Sequence, residues 1–296
     1  MTIKLPGKTF SRRTLLKQAA LTSAGLGALA LNRNSAFEFI RSAHAENAPI
    51  GTYPAGSSGS SVTVSIAVPR TGAYAVQGED ELKGWQLAVD HINSGHDLIK
   101  KISPKTKKGV LGKEVKMVVA DSGAKPNIAV QAHQRAITEN KAVLLTGSTS
   151  SAVAVATNKL AQREHVLYVA GISGSNDTTG KDCVRYGFRQ NFYGETAANA
   201  IGPVLVKTFG KNKKAAFMTP DYTYGHTVTK SVNDYLTKNA GWTQVTDQVS
   251  PLGAPDFSSY LLNVANSGAD VLINVNWAAM PCCRSSRRRS SASSTR

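Results

Sequence analysis

Hydroxyl-bearing turns at the ends of apolar runs are the groups in this sequence best suited to binding chemistry. Val143 to Leu145 runs into Thr146-Gly147-Ser148-Thr149-Ser150-Ser151, and Val166 to Ala170 runs into Gly171-Ile172-Ser173-Gly174-Ser175. Neither turn carries a charge. Between them Val153, Ala156 and Leu160 recur at helical spacing, so the stretch reads strand, turn, helix, strand, turn. Two adjacent parallel strands would bring both turns to one edge of a sheet. That edge, at the carboxyl ends of strands, is where open α/β sheets hold ligands. Free N–H groups at the helix start favour an anionic group there. The same Ser and Thr residues could instead serve only to cap the helix.

Catalytic patterns fail on inspection. There is no GxSxG, no HExxH and no GxGxxG after a strand, and Gly174 and Gly180 before Lys181 are mis-spaced for a phosphate-binding loop. His44, His91, His96, His133, His165 and His226 are scattered, and each is expected to be a surface or structural residue. Cys183 is the single cysteine outside the C-terminal tail, and zinc-site spacings are absent. No catalytic residue, no metal site and no cofactor is therefore expected. Hydroxyls, backbone N–H groups and aromatics remain at the strand ends, and such groups bind small polar molecules without transforming them.

The elements that position these turns emerge from the chain in order. Net charge is +16, but residues 1–45 carry +6 and residues 278–296 carry +5. The excess sits in the two ends, which argues against a nucleic-acid partner for the body. Residues 1–45 read as a twin-arginine export signal, with Arg12-Arg13, an apolar run from Ala19 to Leu31 and a cleavage site at Ala43-His44-Ala45. Cleavage near Ala45 would deliver the protein to the periplasm. Residues 46–60 read as a flexible Gly/Ser/Pro linker. Residues 278–296, rich in Arg and Ser and without periodicity, read as an aberrant tail left by a frameshift or premature end.

Strands are expected at Val62–Val68, Val115–Ala120, Val143–Leu145, Val166–Ala170, Ala215–Met218, Val245–Val249 and Asp270–Val275. Helical spacing falls between them: Glu79–Asn93, from Pro126, from Val153, Ala197–Phe209, Val228–Leu236 and Phe257–Val264. Glu79, Asp80 and Glu81 suit the dipole at the start of the first helix. His96–Gly112 reads as an exposed Lys-rich loop, Trp85 as core, and Asp121 as the brace of a loop. Strict β-α alternation means parallel sheets. The rhythm breaks between Asp182 and Gly194. The fold class expected is thus α/β, with a first lobe at residues 61–188, a partial second lobe at 189–277 and a cleft between them.

Three turns carry a resemblance: Thr71-Gly72-Ala73-Tyr74 with Gly78 after the first strand, Gly147-Ser148-Thr149-Ser150-Ser151 after the third, and Asp221-Tyr222-Thr223-Tyr224-Gly225 after the first strand of the second lobe. In their order and spacing the chain resembles the type I periplasmic solute-binding proteins, in the leucine/isoleucine/valine-binding branch that feeds ABC importers. The resemblance runs from Val62 to Trp277. It implies two Rossmann-like lobes, a small polar ligand such as a branched-chain amino acid, an amide, urea or a related carboxylate, hinge closure, and a permease in the inner membrane as partner to a monomer. It implies no enzymatic activity. A ligand sensor of the same fold is the alternative.

Carried over by position, the resemblance places Thr149, Ser150 and Ser151 on the ligand's carboxylate or equivalent end, with Ser151 the foremost hydroxyl. Gly171, Ile172 and Ser173 add contacts from the next turn. Tyr224 covers the ligand from the second lobe, and Trp277 is a further cleft aromatic. Tyr74 and Gln77 lie at the cleft mouth, and Tyr193 near the crossing between lobes. Tyr222 is open between the cleft and simple packing on the lobe surface. Members of this branch continue well past the point where this sequence ends. The chain as written is therefore expected to leave apolar faces exposed, to fold poorly and to bind weakly.

Overall fold

Alternating β-branched and small residues decide which way the first strand of the main sheet faces. The structure is a computed structural model and describes residues 3–5, 8–10 and 56–277. The chain divides into two compact units, Met1–Thr52 and Tyr53–Arg296. In the first, Ile3–Leu5 pairs antiparallel with Lys8–Phe10. The rest of the expected signal, its cleavage site, residues 46–55 of the linker and the tail at 278–296 lie outside the described residues.

In the second unit β1 (Ser61–Val68) is the inner strand of a five-stranded sheet. Val64, Ile66 and Val68 pack against Leu82 and Val89 of helix α1 (Ala75–Ser94). The intervening Ser65 and Ala67 face the other way, where the close approach of helices leaves room only for small side chains. Ala67 packs there with Ala129 and Val153, and the Ser65 hydroxyl meets His133 Nδ1 at 2.8 Å. Covered on both faces, the strand is nearly continuously buried, as expected of a parallel sheet.

The chain continues through α2 (Asp97–Ile102), β2 (Glu114–Asp121), α3 (Pro126–Asn140), β3 (Ala142–Gly147), α4 (Ser151–Glu164) and β4 (Leu167–Ala170). A 3-10 turn, Asn176–Thr178, then precedes β5 (Gly187–Arg189). All pairs are parallel and the spatial order is β2-β1-β3-β4-β5. The direction of travel reverses beside β1, so β1 and β3 flank the crevice that such sheets offer to ligands.

The second sheet has the order β8-β6-β7, again parallel. It comprises β6 (Lys214–Pro220), β7 (Thr243–Ser250) and β8 (Val271–Asn274), with helices α5 (Gly194–Phe209), α6 (Thr223–Ala240) and α7 (Ser258–Asn266). Phe217, Val232, Leu236 and Trp242 form its core, and the indole Nε1 of Trp242 donates to the Gly210 carbonyl at 2.8 Å. Full burial of each such side chain stabilises by roughly 1.5–3 kcal/mol. Helix surfaces of this lobe expose Ile201, Val204, Phe209 and Leu262.

The expected alternation is present, with three differences. His96–Gly112 is not all loop, because α2 forms within it. His96 Nδ1 accepts from the Leu98 N–H, and Asp97 and Lys100 pair one turn apart. Helices α1 and α6 begin earlier than their apolar periodicity, at Ala75 and Thr223. In both, a first-turn glycine seats the helix on the proline at or just past the end of the preceding strand. A Cβ on Gly78 would lie 1.8 Å from the Pro69 carbonyl oxygen, and one on Gly225 would lie 2.0 Å from that of Pro220. Apolar spacing carries no trace of such contacts. Finally, the break at 182–194 contains β5, so the first sheet runs to Arg189, one residue past the expected boundary. Asp121 braces the turn after β1 as expected, accepting from Arg70 N–H and the Thr71 hydroxyl at 2.8 Å each. Trp85 is half-buried against the β1 cluster.

Candidate functional site

The two hydroxyl-bearing turns do meet at the carboxyl edge of the first sheet. Strand β3 ends at Gly147 with φ +101°, and Ser148 follows at φ +75°, a conformation that side chains other than glycine's rarely adopt. The Ser148 hydroxyl bonds the Gly147 carbonyl and the buried Tyr168 phenol. Ser148, Thr149, Ser150 and Ser151 are all buried. Ser150 occupies the N-cap of α4, yet its side chain makes no cap hydrogen bond. Capping therefore does not account for the hydroxyls. Ser151 Oγ accepts from the Ser175 N–H at 3.2 Å, and the Gly171 N–H donates to the Gly147 carbonyl at 2.8 Å. These two bonds tie the turn after β3 to the turn after β4. Ser173 is buried, and its hydroxyl has no hydrogen-bond partner among the described residues.

A residue that motif reasoning missed sits between these turns. Glu81, two turns into α1, receives the Thr149 hydroxyl on Oε2 at 2.9 Å. Its other oxygen, Oε1, is buried over Gly171 without a hydrogen-bond partner among the described residues, so close that a Cβ on Gly171 would lie 1.6 Å from it. Burial pushes the Glu81 carboxyl up to about 7, opposed by the Thr149 hydroxyl and the Ile172 N–H. Thr149 thus spends its hydroxyl proton within the first lobe. The spacing of Gly78, Glu81 and Trp85 on one helix face was the available signal, since a carboxylate on a face that meets a sheet needs a partner.

Four aromatics join the lobes at the strand ends. Tyr74, from the turn after β1, stacks on Trp277, which follows β8, with centroids 4.9 Å apart and planes 17° from parallel. Tyr222 and Tyr224, at the start of α6, complete the cluster, at 6.3 Å from Tyr74 and 6.1 Å from Trp277 respectively. Trp277 Nε1 donates to the Tyr222 hydroxyl at 2.6 Å. Tyr222, left open between cleft and surface packing, thus belongs to the cluster. Burial raises the Tyr74 phenol to about 12 and raises Tyr222 and Tyr224 as well, so all three are neutral at pH 7. The cluster presents flat apolar surface with neutral hydroxyls. Replacing Trp277 by Phe should cost about 1 kcal/mol through the lost indole hydrogen bond. Replacing it by Ala should cost about 3 kcal/mol, because the Tyr74 stack goes as well. Urea unfolding of both variants measures this, and equal losses would contradict the stacking role.

A polar strap beside the cluster also spans the lobes. The Ser175 and Thr223 hydroxyls meet at 2.9 Å, and Thr223 donates to Asp177 at 2.5 Å. Asn176 accepts from the Glu195 N–H at 3.1 Å with Oδ1 and donates to Ser231 at 3.0 Å with Nδ2. A side chain of one lobe therefore satisfies a free N–H at the start of α5 in the other. Asn191 donates to the Ile172 carbonyl at 3.0 Å. Tyr193 lies apart from the four aromatics, with the Arg189 guanidinium 4.1 Å over its ring. Gln77 is half-buried on the first turn of α1. Among the described residues no group of His, Cys, Asp and Glu is disposed to hold a metal. A groove of about 510 Å³ between α5 and α6 adjoins this strap, bordered by Asn176, Lys230, Asp234 and Tyr235.

Comparison with known proteins agrees with the fold. Residues 61–281 match the sequence model of a family described as "Periplasmic binding protein". A "Leu/Ile/Val-binding protein homolog 7" of Brucella abortus (strain 2308) is 27% identical over 216 residues, covering 71% of this chain and 50% of that relative. An "Amino acid binding protein" of Pseudomonas aeruginosa is 25% identical over 214 residues, covering 71% and 52%. The crystal structure of a periplasmic binding protein from Burkholderia mallei superposes with a TM-score of 0.69 at 25% identity, covering 80% of this chain and 60% of that one. The chain spans about half the length of the curated relatives it matches.

Proposed function

The chain belongs to the periplasmic binding protein family, and from that premise we propose that it is the solute-capturing component of an ABC importer. The family is one of binding proteins, not of enzymes. The observation that carries the reading is the meeting of strand-end turns from two parallel sheets across an aromatic cluster. On this reading Thr149, Ser150, Ser151, Gly171, Ile172 and Ser173 form the polar floor for a carboxylate or amide end, with Gln77 at its mouth and the buried Tyr74 ring, stacked on Trp277, as part of its aromatic wall. Tyr224 and Trp277 cover the ligand's apolar body as the second lobe closes. Tyr193 has the weakest claim, since its ring is engaged by Arg189.

The ligand is a small polar solute: a branched-chain amino acid, an amide, urea or a related carboxylate. The closed form would be presented by a monomer to an inner-membrane permease, with no nucleic acid involved. Export by the twin-arginine route would place it in the periplasm. These supports come from the family match, the aromatic cluster and the uncharged floor.

Thermal unfolding with leucine, benzoate, benzamide and urea at millimolar concentration tests the reading. A ligand present at one hundred times its Kd should stabilise the chain by about 2.7 kcal/mol. A melting point that none of the four solutes moves would reject this ligand class.

A further inference from the structure

Glu81 is the one buried acid of the strand-end site whose role the binding reading does not absorb. It reaches the site from α1, whereas the floor itself comes from the turns after β3 and β4. We propose that Glu81 is a positioning residue of that site: protonated, it holds the two turns together, and their closure on an anionic ligand takes up one proton at its carboxyl. The inference rests on the solute-binding reading above and adds to it a proton linked to the binding of an anionic ligand.

The geometry supplies the argument. Oε2 is occupied by the Thr149 hydroxyl at 2.9 Å. Oε1 is buried and without a hydrogen-bond partner among the described residues. The point where a Gly171 Cβ would stand is 1.6 Å from Oε1 and 2.8 Å from the Gly147 carbonyl oxygen, so both oxygens border the same small space. Ionised, Oε1 has no proton to offer the carbonyl oxygen on the same side of the site. Protonated, it is a donor, and a bond to that acceptor would join α1 to the last residue of β3. The Gly147 carbonyl already takes the Gly171 N–H, so both turns are held at one point.

The charged surroundings agree. The turn after β3 offers Ser148 and Thr149, and the turn after β4 offers Gly171 and Ile172, all uncharged. Strand β4 offers Tyr168, a buried phenol whose own ionisation is opposed by burial and by Glu81. No cation among the described residues acts on the Glu81 carboxyl. A ligand anion held by the N–H groups of the same turns would be a second negative charge, and two like charges at one site favour protonation of one. The proton comes from solvent, forms an O–H bond at Glu81, and returns to solvent when the ligand leaves.

The test uses the full chain labelled with ¹³C at glutamate carboxyls and ¹⁵N at amides. Between pH 5 and 9 one carboxyl signal, absent in Glu81→Gln, should titrate near neutrality. The Thr149 and Ile172 amides should follow with the same midpoint and become fixed in Glu81→Gln. A Glu81 signal that titrates like a surface glutamate, or amides that still titrate in Glu81→Gln, overturns the positioning role. Should Glu81→Gln fail to fold, Thr149→Val decides instead. Losing one of the two donors to the ionised form, with the Ile172 N–H kept, should move the Glu81 midpoint upward, and no movement overturns the proposal.

Benzoate, ionised throughout this range, and its neutral isostere benzamide test the linked proton. Benzoate should bind about tenfold more tightly at pH 6 than at pH 8, benzamide equally at both, and Glu81→Gln should abolish the benzoate difference. Equal pH dependence for the two probes overturns proton uptake. Failure of both probes to bind at any pH counts against the solute-binding reading and the proton uptake together, and the amide titration then decides the positioning role alone.

Discussion

Gly147→Ala is expected to destabilise the first lobe by roughly 3–5 kcal/mol, among the largest effects of any single methyl group in this chain. Two causes act at once. Gly147 has φ +101°, where an L-residue is strained by about 1–2 kcal/mol. Its added Cβ would also lie 2.3 Å from the Ala67 carbonyl oxygen and 2.8 Å from the Ala67 carbonyl carbon. Those are backbone atoms of β1, the strand paired beside it, and they cannot rotate away as a side chain could. Gly72 provides the control. It has φ +81°, but nothing lies within 4 Å of its Cβ position. Gly72→Ala should therefore show the strain alone. Urea denaturation of the two variants separates the causes, and equal losses would show that the β1–β3 approach is not the constraint. Because Gly147 sets the path of Ser148 to Ser151, its replacement should also abolish ligand-induced stabilisation.

Opposed titrations at Glu81 and His133 are expected to flatten the pH dependence of stability between pH 4.5 and 6.5. Burial raises Glu81 from 4.5 to about 7. The folded state therefore holds this proton more tightly than the unfolded chain does. Its contribution is complete below pH 4.5 and is lost as pH rises through 7. His133 behaves in the opposite sense. Burial behind β1 lowers it from 6.5 to about 4, with Nδ1 on Ser65 and Nε2 without a partner among the described residues. Its contribution is complete above pH 6.5 and is lost as pH falls through 4. Each difference corresponds to about 3 kcal/mol over its range.

Removing one partner should expose the slope of the other. In His133→Gln, stability should fall with rising pH by about 1.4 kcal/mol per unit between pH 4.5 and 6.5. In Glu81→Gln it should rise by a similar amount over the same window. The double variant should be as flat as the parent. Urea midpoints at pH 4.5, 5.5 and 6.5 measure all four proteins, and differences between them cancel groups that titrate alike in each. Parallel curves would mean that neither residue is held in the environment described.

Local pattern made much of this protein legible. Alternation in Val62–Val68 and helical spacing in Leu82–Ile92 reflect which face of an element meets apolar neighbours, and that information is present in every few residues. The β-α rhythm then restricts the sheets to parallel pairing. Strand-end placement of Thr149, Ser151 and Ser173 follows, since a parallel sheet brings all its strand ends to one edge. Boundaries were less legible where a first turn is held by contact instead of by its own apolar face, as at Ala75 and Thr223. The fifth strand, three residues long, is too short to show a period at all.

What the sequence by itself determined is the set of elements, their parallel arrangement and the hydroxyl-rich character of the edge where they end. Only the tertiary structure decided how those groups are used. Thr149 and Glu81 are 68 residues apart, Ser151 and Ser175 are 24 apart, and Trp277 and Tyr222 are 55 apart. No periodicity links such pairs, because their distance is set by how helices and sheets stack. The physical reason is range: hydrophobic spacing is a property of neighbouring residues, whereas hydrogen bonding and desolvation at a site depend on every element that closes over it. Thus Glu81, which by position suited only a helix dipole, became the buried carboxyl at the centre of the first-lobe turns. Hydroxyls that could have capped a helix became the links between them.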